Sequence, residues 1–277
     1  MIVIENLTYG EERALYNSEN LHIISCRFDG EEDGESAIKE SENILAEDCC
    51  FNLRYPLWHC NEVTVACSEM SEKCRAPLWY SKNIRLERNK INGTKALREC
   101  ENIEILNSVI VSDEFGWSSK QIKAESTQLA GEYFMLRARD ISLKSCSVSG
   151  KYSFQYIDNA AIENCIINTK DAFWHAKNVV VKNSVIRGEY LGWYSENITF
   201  ENCKIIGTQP LCYCKGLKLI DCEMADSDLS FEKSQVWARI KTPIISIKNP
   251  TEGRIEAPSC AEIILTDPNA KCEIVIG

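Results

Sequence analysis

The chain has 277 residues, 44% of them apolar, which is enough to bury a sizeable core. A formal charge of −10 and a pI near 5.0 leave no basic footprint, which argues against nucleic acid or an anionic membrane as a partner. No apolar run approaches the ~20 residues of a membrane span.

Residues 1–19 read as an N-terminal cap. MIVIENLTYGEERALYNSEN has no basic stretch and meets acidic residues early, unlike a signal peptide. GEERAL at 10–15 is expected to be a short helix. Fifteen cysteines are an odd count in a long chain without an export signal, so they read as reduced thiols of a cytoplasmic protein.

From residue 20 the chain repeats. DAFWHAKNVVVKNSVIRG at 171–188 aligns with YLGWYSENITFENCKIIG at 190–207, with Trp174 on Trp193, His175 on Tyr194 and Asn178 on Asn197. A marker heads each unit: Asn20, Asn43, Glu62, Asn83, Asn102, Gln121, Asp140, Asn159, Asn178, Asn197, Gly216 and Gln235. From Asn83 the step is nineteen up to Gln235; earlier steps are 23, 19 and 21, stretched by insertions such as the acidic GEEDGESAIKE at 30–40. A fixed period of this size is the signature of a solenoid.

Within each unit the columns keep their chemistry. Aliphatic residues follow the marker by one and by three positions (Ile103 and Ile105, Val179 and Val181), with charged residues such as Lys182 and Glu201 after them, so the period is that of a strand. A Cys/Ser column follows (Ser108, Cys146, Cys165, Ser184, Cys203, Cys222), then another aliphatic column and a turn with Gly93, Gly131, Gly150, Gly188 and Gly207. A third segment carries Trp58, Trp79, Trp117, Trp174 and Trp193 and ends on small residues such as Ala176 and Ser195.

Three short strands and three corners per nineteen residues fit one turn of a parallel β-helix, with turns about 4.8 Å apart. The expected fold is therefore all-β: a single domain over 1–277, with about twelve turns over 20–243 and a strand-rich C-terminal flap at 244–277. Stability would be a sum over neighbouring turns, with both ends needing caps.

The run FWHAKNVVVKNSVIRGEYLGWYSENITFENC, EERALY near the start, the paired PLWHC and PLWYS phrases and LCYCKGLKLIDCEM resemble an uncharacterised bacterial family among the pectin-lyase-like right-handed β-helices. The resemblance covers nearly the full length and implies the right-handed sense. It leaves function open, because that superfold hosts lyases, hydrolases and non-catalytic tailspike-like proteins.

The column after the tryptophans reads His59, Tyr80, Glu99, Ser118, Arg137, Tyr156, His175, Tyr194, Tyr213 and Glu232. Outward rings with polar tips suit a partly wet, extended ligand such as a sugar chain, so Tyr156, Trp174, Trp193, Tyr194 and Tyr213 are candidate ligand contacts. The plainer alternative is β-propensity and cross-turn stacking.

Asp171, His175 and Arg137 form the candidate catalytic group, an acid and a titratable imidazole among aromatics. Asp113 and Glu132, one turn apart, are spaced like a carboxylate pair, although a charged turn is usually solvated surface. No ladder stacks three acids, so no Ca²⁺ cluster, other metal or cofactor is expected.

Trp174 raises a separate question: if it alternates with Ala176 it faces inward, and Arg98 and Gln155 in the same column become awkward buried polar groups. Two function classes follow. One is a cytoplasmic binding or scaffold protein with an oligosaccharide or protein partner; the other is an oligosaccharide-processing enzyme. An exposed sheet edge would also support an end-to-end homodimer.

Overall fold

A computed structural model describes residues 1–31 and 34–277; Glu32 and Asp33 of the acidic insertion lie outside the described residues. The chain is an all-β, right-handed parallel β-helix of about 14 turns. It falls into two compact units, Met1–Ser142 and Leu143–Gly277.

Each unit is built on two parallel ladders, which arise because inward aliphatics recur at the same place in every turn. In the first unit one ladder runs from Ile2–Glu5 through Glu19–Ile24, Glu42–Glu47, Asn61–Ala66 and Lys82–Glu87 to Glu101–Leu106 and Lys120–Glu125. In the second it runs from Asp158–Glu163 through Lys177–Lys182, Glu196–Glu201, Leu217–Ala225 and Gln235–Ile240 to Glu252–Ala257 and Glu273–Ile276. The inward residues pair like with like, Ile103 on Ile122 and Val179 on Ile198, and all four are buried. Shorter strands such as Ile166–Lys170 and Val185–Arg187 form the other ladder.

The marker column behaves as a left-handed corner. Asn83, Asn102, Gln121, Asn178 and Asn197 all have φ between 53° and 57°. The side chains then bond along the stack, Asn102 Nδ2 to Asn83 Oδ1 at 2.7 Å and Asn197 Nδ2 to Asn178 Oδ1 at 3.3 Å. Asn suits the place because it tolerates this conformation and both donates and accepts. At Gly207, φ is 135° and a Cβ would stand 2.2 Å from the Gly188 carbonyl oxygen, so no other residue fits there.

The Cys/Ser column is a hydrogen-bond relay as well as small core filling. Ser184 Oγ donates to the Lys182 carbonyl at 2.6 Å and accepts the Cys165 N–H at 3.0 Å. Cys203 Sγ reaches the Glu201 carbonyl at 3.3 Å, and all fifteen cysteines are free thiols. Burial pushes Cys60 and Cys100 up to about 12, so these thiols are poor nucleophiles.

Three expectations are corrected. There are about 14 turns rather than twelve, because both ends continue the ladders. Ile2–Glu5 and Thr8–Tyr9 pair with the next turn, and Tyr9 stacks on Phe28 at 5.5 Å. At the other end, Trp237 pairs with Arg254, 17 residues on, and Arg254 with Glu273, 19 on, so the contracted step and the lost Asn marker hid these turns. GEERAL is a chain of turns, with Arg13 left-handed and Leu15 N–H bonded to the Ala37 carbonyl at 2.7 Å.

The third correction is that the third side of each turn is not a strand. It is a run in which every second residue is left-handed: Tyr152, Phe154 and Tyr156; Asp171, Phe173 and His175; Tyr190, Gly192 and Tyr194; Gln209, Leu211 and Tyr213. A left-handed non-glycine residue costs roughly 1–2 kcal/mol. Cross-turn bonds offset that cost: the His175 N–H donates to the Trp193 carbonyl at 2.9 Å, and the Phe173 N–H to the Ser153 carbonyl at 3.0 Å.

Candidate functional site

The left-handed alternation sorts the third-side residues into layers. Phe154, Phe173 and Leu211 point into the core and are fully buried, with Phe154 stacked on Phe173 at 5.0 Å. This inner column was not singled out from sequence, although Leu57, Leu78 and Phe173, directly before Trp58, Trp79 and Trp174, mark it. Trp174 and Trp193 sit outside it, half-buried and stacked on each other at 5.4 Å and 5°. Trp174 Nε1 donates to the Tyr190 carbonyl at 2.6 Å and Trp193 Nε1 to the Gln209 carbonyl at 2.8 Å. Gln155 in the same column donates to the Asp171 carbonyl at 3.1 Å. The column is therefore a hydrogen-bonded edge of the solenoid, and Gln155 is satisfied there.

The next column forms a continuous ring stack. Tyr156 lies on His175 at 4.7 Å, His175 on Tyr194 at 5.0 Å, and Tyr194 on Tyr213 at 4.8 Å, all within 11° of parallel. Tyr156 and Tyr194 are 50% and 44% exposed, so the ladder meets solvent. The rings cover one another's faces and turn their edges outward. The side chains of Tyr156, His175 and Tyr194 make no hydrogen bond among the described residues, so two hydroxyls and the imidazole nitrogens form an unfilled polar row. Tyr213 ends the stack 3.5 Å from Glu232, which pairs with Lys248 at 3.1 Å; burial and then the Glu232 charge raise the Tyr213 phenol.

Asp171 stands where the flanking turns carry Tyr152 and Tyr190. It is 6% exposed, its carboxyl makes no hydrogen bond among the described residues, and burial raises its pKa, with Lys170 opposing. Lys170 in turn pairs with Glu189 at 3.0 Å and lies 5.2 Å from the centre of the Tyr190 ring. Asp171 and His175 are four residues apart on one left-handed run, without a hydrogen bond between them. Arg137 is an exposed left-handed residue of the first unit.

In the first unit the tryptophan column is closed by cations. Lys39 lies over Trp58 at 4.6 Å, Trp58 stacks on Trp79 at 5.6 Å, and the Arg98 guanidinium is held between Trp79 and Trp117 at 5.1 and 5.0 Å. The Asp113 carboxylate accepts the Glu132 backbone N–H at 2.8 Å, which makes it a turn cap rather than half of a catalytic pair. Among the described residues, no three His, Cys, Asp or Glu side chains converge to hold a metal ion.

A family model described as protein of unknown function (DUF3737) matches residues 2–276. The chain belongs to this family. No curated protein matches the sequence. Among solved structures, a double mutant of the tailspike protein of E. coli bacteriophage HK620 is similar at 9% identity and TM-score 0.42, covering 93% of this chain and 62% of that one. This chain therefore spans under two thirds of the tailspike. The surface adhesin PfbA of Streptococcus pneumoniae is similar at 11% identity and TM-score 0.39, covering 80% and 71%. The A-module of the Azotobacter vinelandii mannuronan C-5 epimerase AlgE6 is similar at 10% and 0.32, covering 98% and 87%.

Proposed function

We propose that the protein is a binding or scaffold protein that holds a carbohydrate-type ligand along the ring ladder Tyr156, His175, Tyr194 and Tyr213. The observation that carries this reading is the row of stacked rings in which the polar edges of Tyr156, His175 and Tyr194 find no partner among the described residues. Because the ring faces are already covered, the ligand is held edge-on. Tyrosine hydroxyls and the imidazole would bond successive sugar hydroxyls at the spacing of the turns. Stacking fixes these side chains beforehand, so binding costs little further side-chain entropy. Trp174 and Trp193 back the ladder and keep it in register. Cytoplasmic residence belongs to the same proposal and is supported by the column of free thiols.

The test is a thermal-shift and calorimetric screen against neutral and acidic oligosaccharides, with and without Ca²⁺. A ligand at a hundredfold its Kd stabilises by about 2.7 kcal/mol, a shift of several degrees. A shift with one saccharide that disappears in both His175→Ala and Tyr194→Ala is the expected result. No shift with any sugar, with both variants folded, would sink the reading and leave a scaffold for protein partners.

One observation favours an enzymatic alternative. A shielded carboxyl with a raised pKa, as at Asp171, suits a general acid. If the protein cleaves an oligosaccharide, Asp171→Asn abolishes the appearance of new chain ends while leaving ligand affinity within a few-fold.

A further inference from the structure

Six tryptophans let one residue type be compared in several settings. Five are covered: Trp58, Trp79 and Trp117 by cations or rings, Trp174 and Trp193 by each other and by backbone carbonyls. Trp237 is the exception. It is 45% exposed and, among the described residues, has no ring partner, no cation and no hydrogen bond from its indole N–H.

Its surroundings explain how such a ring is held. Trp237 lies in the strand Gln235–Ile240, on the outward side of the first ladder, in register with Lys218 on one side and Arg254 on the other. The next strand carries Gly253 (φ 105°), where a Cβ would stand 3.3 Å from Trp237 Cδ2, so the indole rests against bare backbone. On the preceding strand the register slips between Leu219 and Cys222, where one extra residue opposes the Ala238–Ile240 segment. Bulges of this kind re-aim side chains. Here Ile220 is 37% exposed and helps line a groove of about 270 Å³ with Lys218, Trp237, Arg239 and Arg254.

The charges in the groove are unequal. Arg239 is clamped by Asp221 at 2.6 and 2.9 Å, and Arg254 bonds Glu256 and Glu273 at 2.7 and 2.8 Å. Lys218 has no ion-pair partner among the described residues. An open aromatic surface beside one unpaired ammonium is complementary to a ring that offers a C–H face and carries one negative group.

We propose that the Trp237 groove binds a monosaccharide unit bearing an anionic substituent, a carboxylate or a phosphate. The C–H face of the sugar lies on the indole and the anion sits on Lys218. The volume, just below the roughly 300–1,000 Å³ of small-molecule sites, suits one ring rather than a chain. The site is separate from the ring ladder and stands without it.

Calorimetric titration of the full chain with galacturonate, glucose 6-phosphate and glucose tests this. The expected result is that at least one anionic probe binds and glucose binds at least tenfold more weakly. Lys218→Gln then removes the preference for the anion, and Trp237→Ala removes binding altogether, while both variants keep the parent's circular dichroism and Tm because both side chains are exposed. The relative strength of the two anionic probes tells carboxylate from phosphate. Absence of binding by both, or binding unchanged in Trp237→Ala, overturns the proposal. An equal response to glucose, or an anion preference retained in Lys218→Gln, overturns it as well.

Discussion

The tryptophan corner is solved differently in the two units. In the first, Lys39, Trp58, Trp79, Arg98 and Trp117 alternate rings with cations, and Arg98 also lies 3.6 Å from Glu114. In the second, Gln155, Trp174 and Trp193 are neutral, and the neighbouring column is an unbroken stack from Tyr156 to Tyr213. The backbone is the same in both, left-handed at alternate positions. The corner thus accepts indole, guanidinium and side-chain amide alike, and at Lys39 an ammonium over the next indole. What differs is the neighbouring outward column, since the His59 ring is engaged by Glu40 at 2.6 Å while the side chains of Tyr156, His175 and Tyr194 make no hydrogen bond among the described residues.

The largest effects test what the two units share. Leu97→Ala and Phe173→Ala each remove a fully buried side chain of the inner column and should cost about 2–5 and 3–5 kcal/mol respectively, measured by denaturant unfolding. Similar losses in both would confirm that the inner column is common structure; a loss below ~1 kcal/mol at Phe173 would show that the second unit is held by its outer rings. Smaller effects test what differs. Arg98→Ala loses contact with two indoles and should cost about 1–2 kcal/mol, largely insensitive to salt. Gln155→Ala, which removes one hydrogen bond, should cost about 0.5–1.5 kcal/mol. Equal sensitivity of the Arg98 variant to 1 M salt and to neutral mutation of Glu114 would reassign its role to simple ion pairing.

Much of this was legible because each turn must solve the same packing problem. The Asn markers predict the left-handed corner, and Val179, Val181 and Ile186 predict the ladders. The third side was not legible, since alternating left-handed residues leave Asp, Phe, His and Tyr in succession and have no hydropathy signature of their own. The inward or outward placement of Trp174 depends on that backbone, so it was open as well. The end turns were missed because a 17-residue step after Trp237 breaks the count, and Trp237, in the last counted turn, falls outside the tryptophan column and drew no attention. The aromatic column was found correctly as a set of outward residues, but the face-to-face stacking of Tyr156, His175, Tyr194 and Tyr213, which decides how a ligand approaches, depends on side-chain geometry.

The smallest predicted effect isolates Asp171, the one acidic residue where the adjacent turns place tyrosines. Burial raises its pKa above the ordinary 3.8, so the folded protein holds this proton more tightly than the unfolded chain does. The sign follows from linkage. Below 3.8 both states are protonated and Asp171 costs nothing; as pH rises through 3.8 and then the higher folded value, the unfolded chain ionises first and stability falls. Above that window the penalty is constant. Asp171→Asn, which keeps the shape and removes the charge, should raise Tm at pH 7 and leave it unchanged at pH 3. A Tm that falls at pH 7 would mean that the carboxylate is stabilised by its place beside Lys170. In that case the second unit would be closed by charge at this position, as the first is at Arg98, and the contrast between the two corners would narrow to the ring ladder alone.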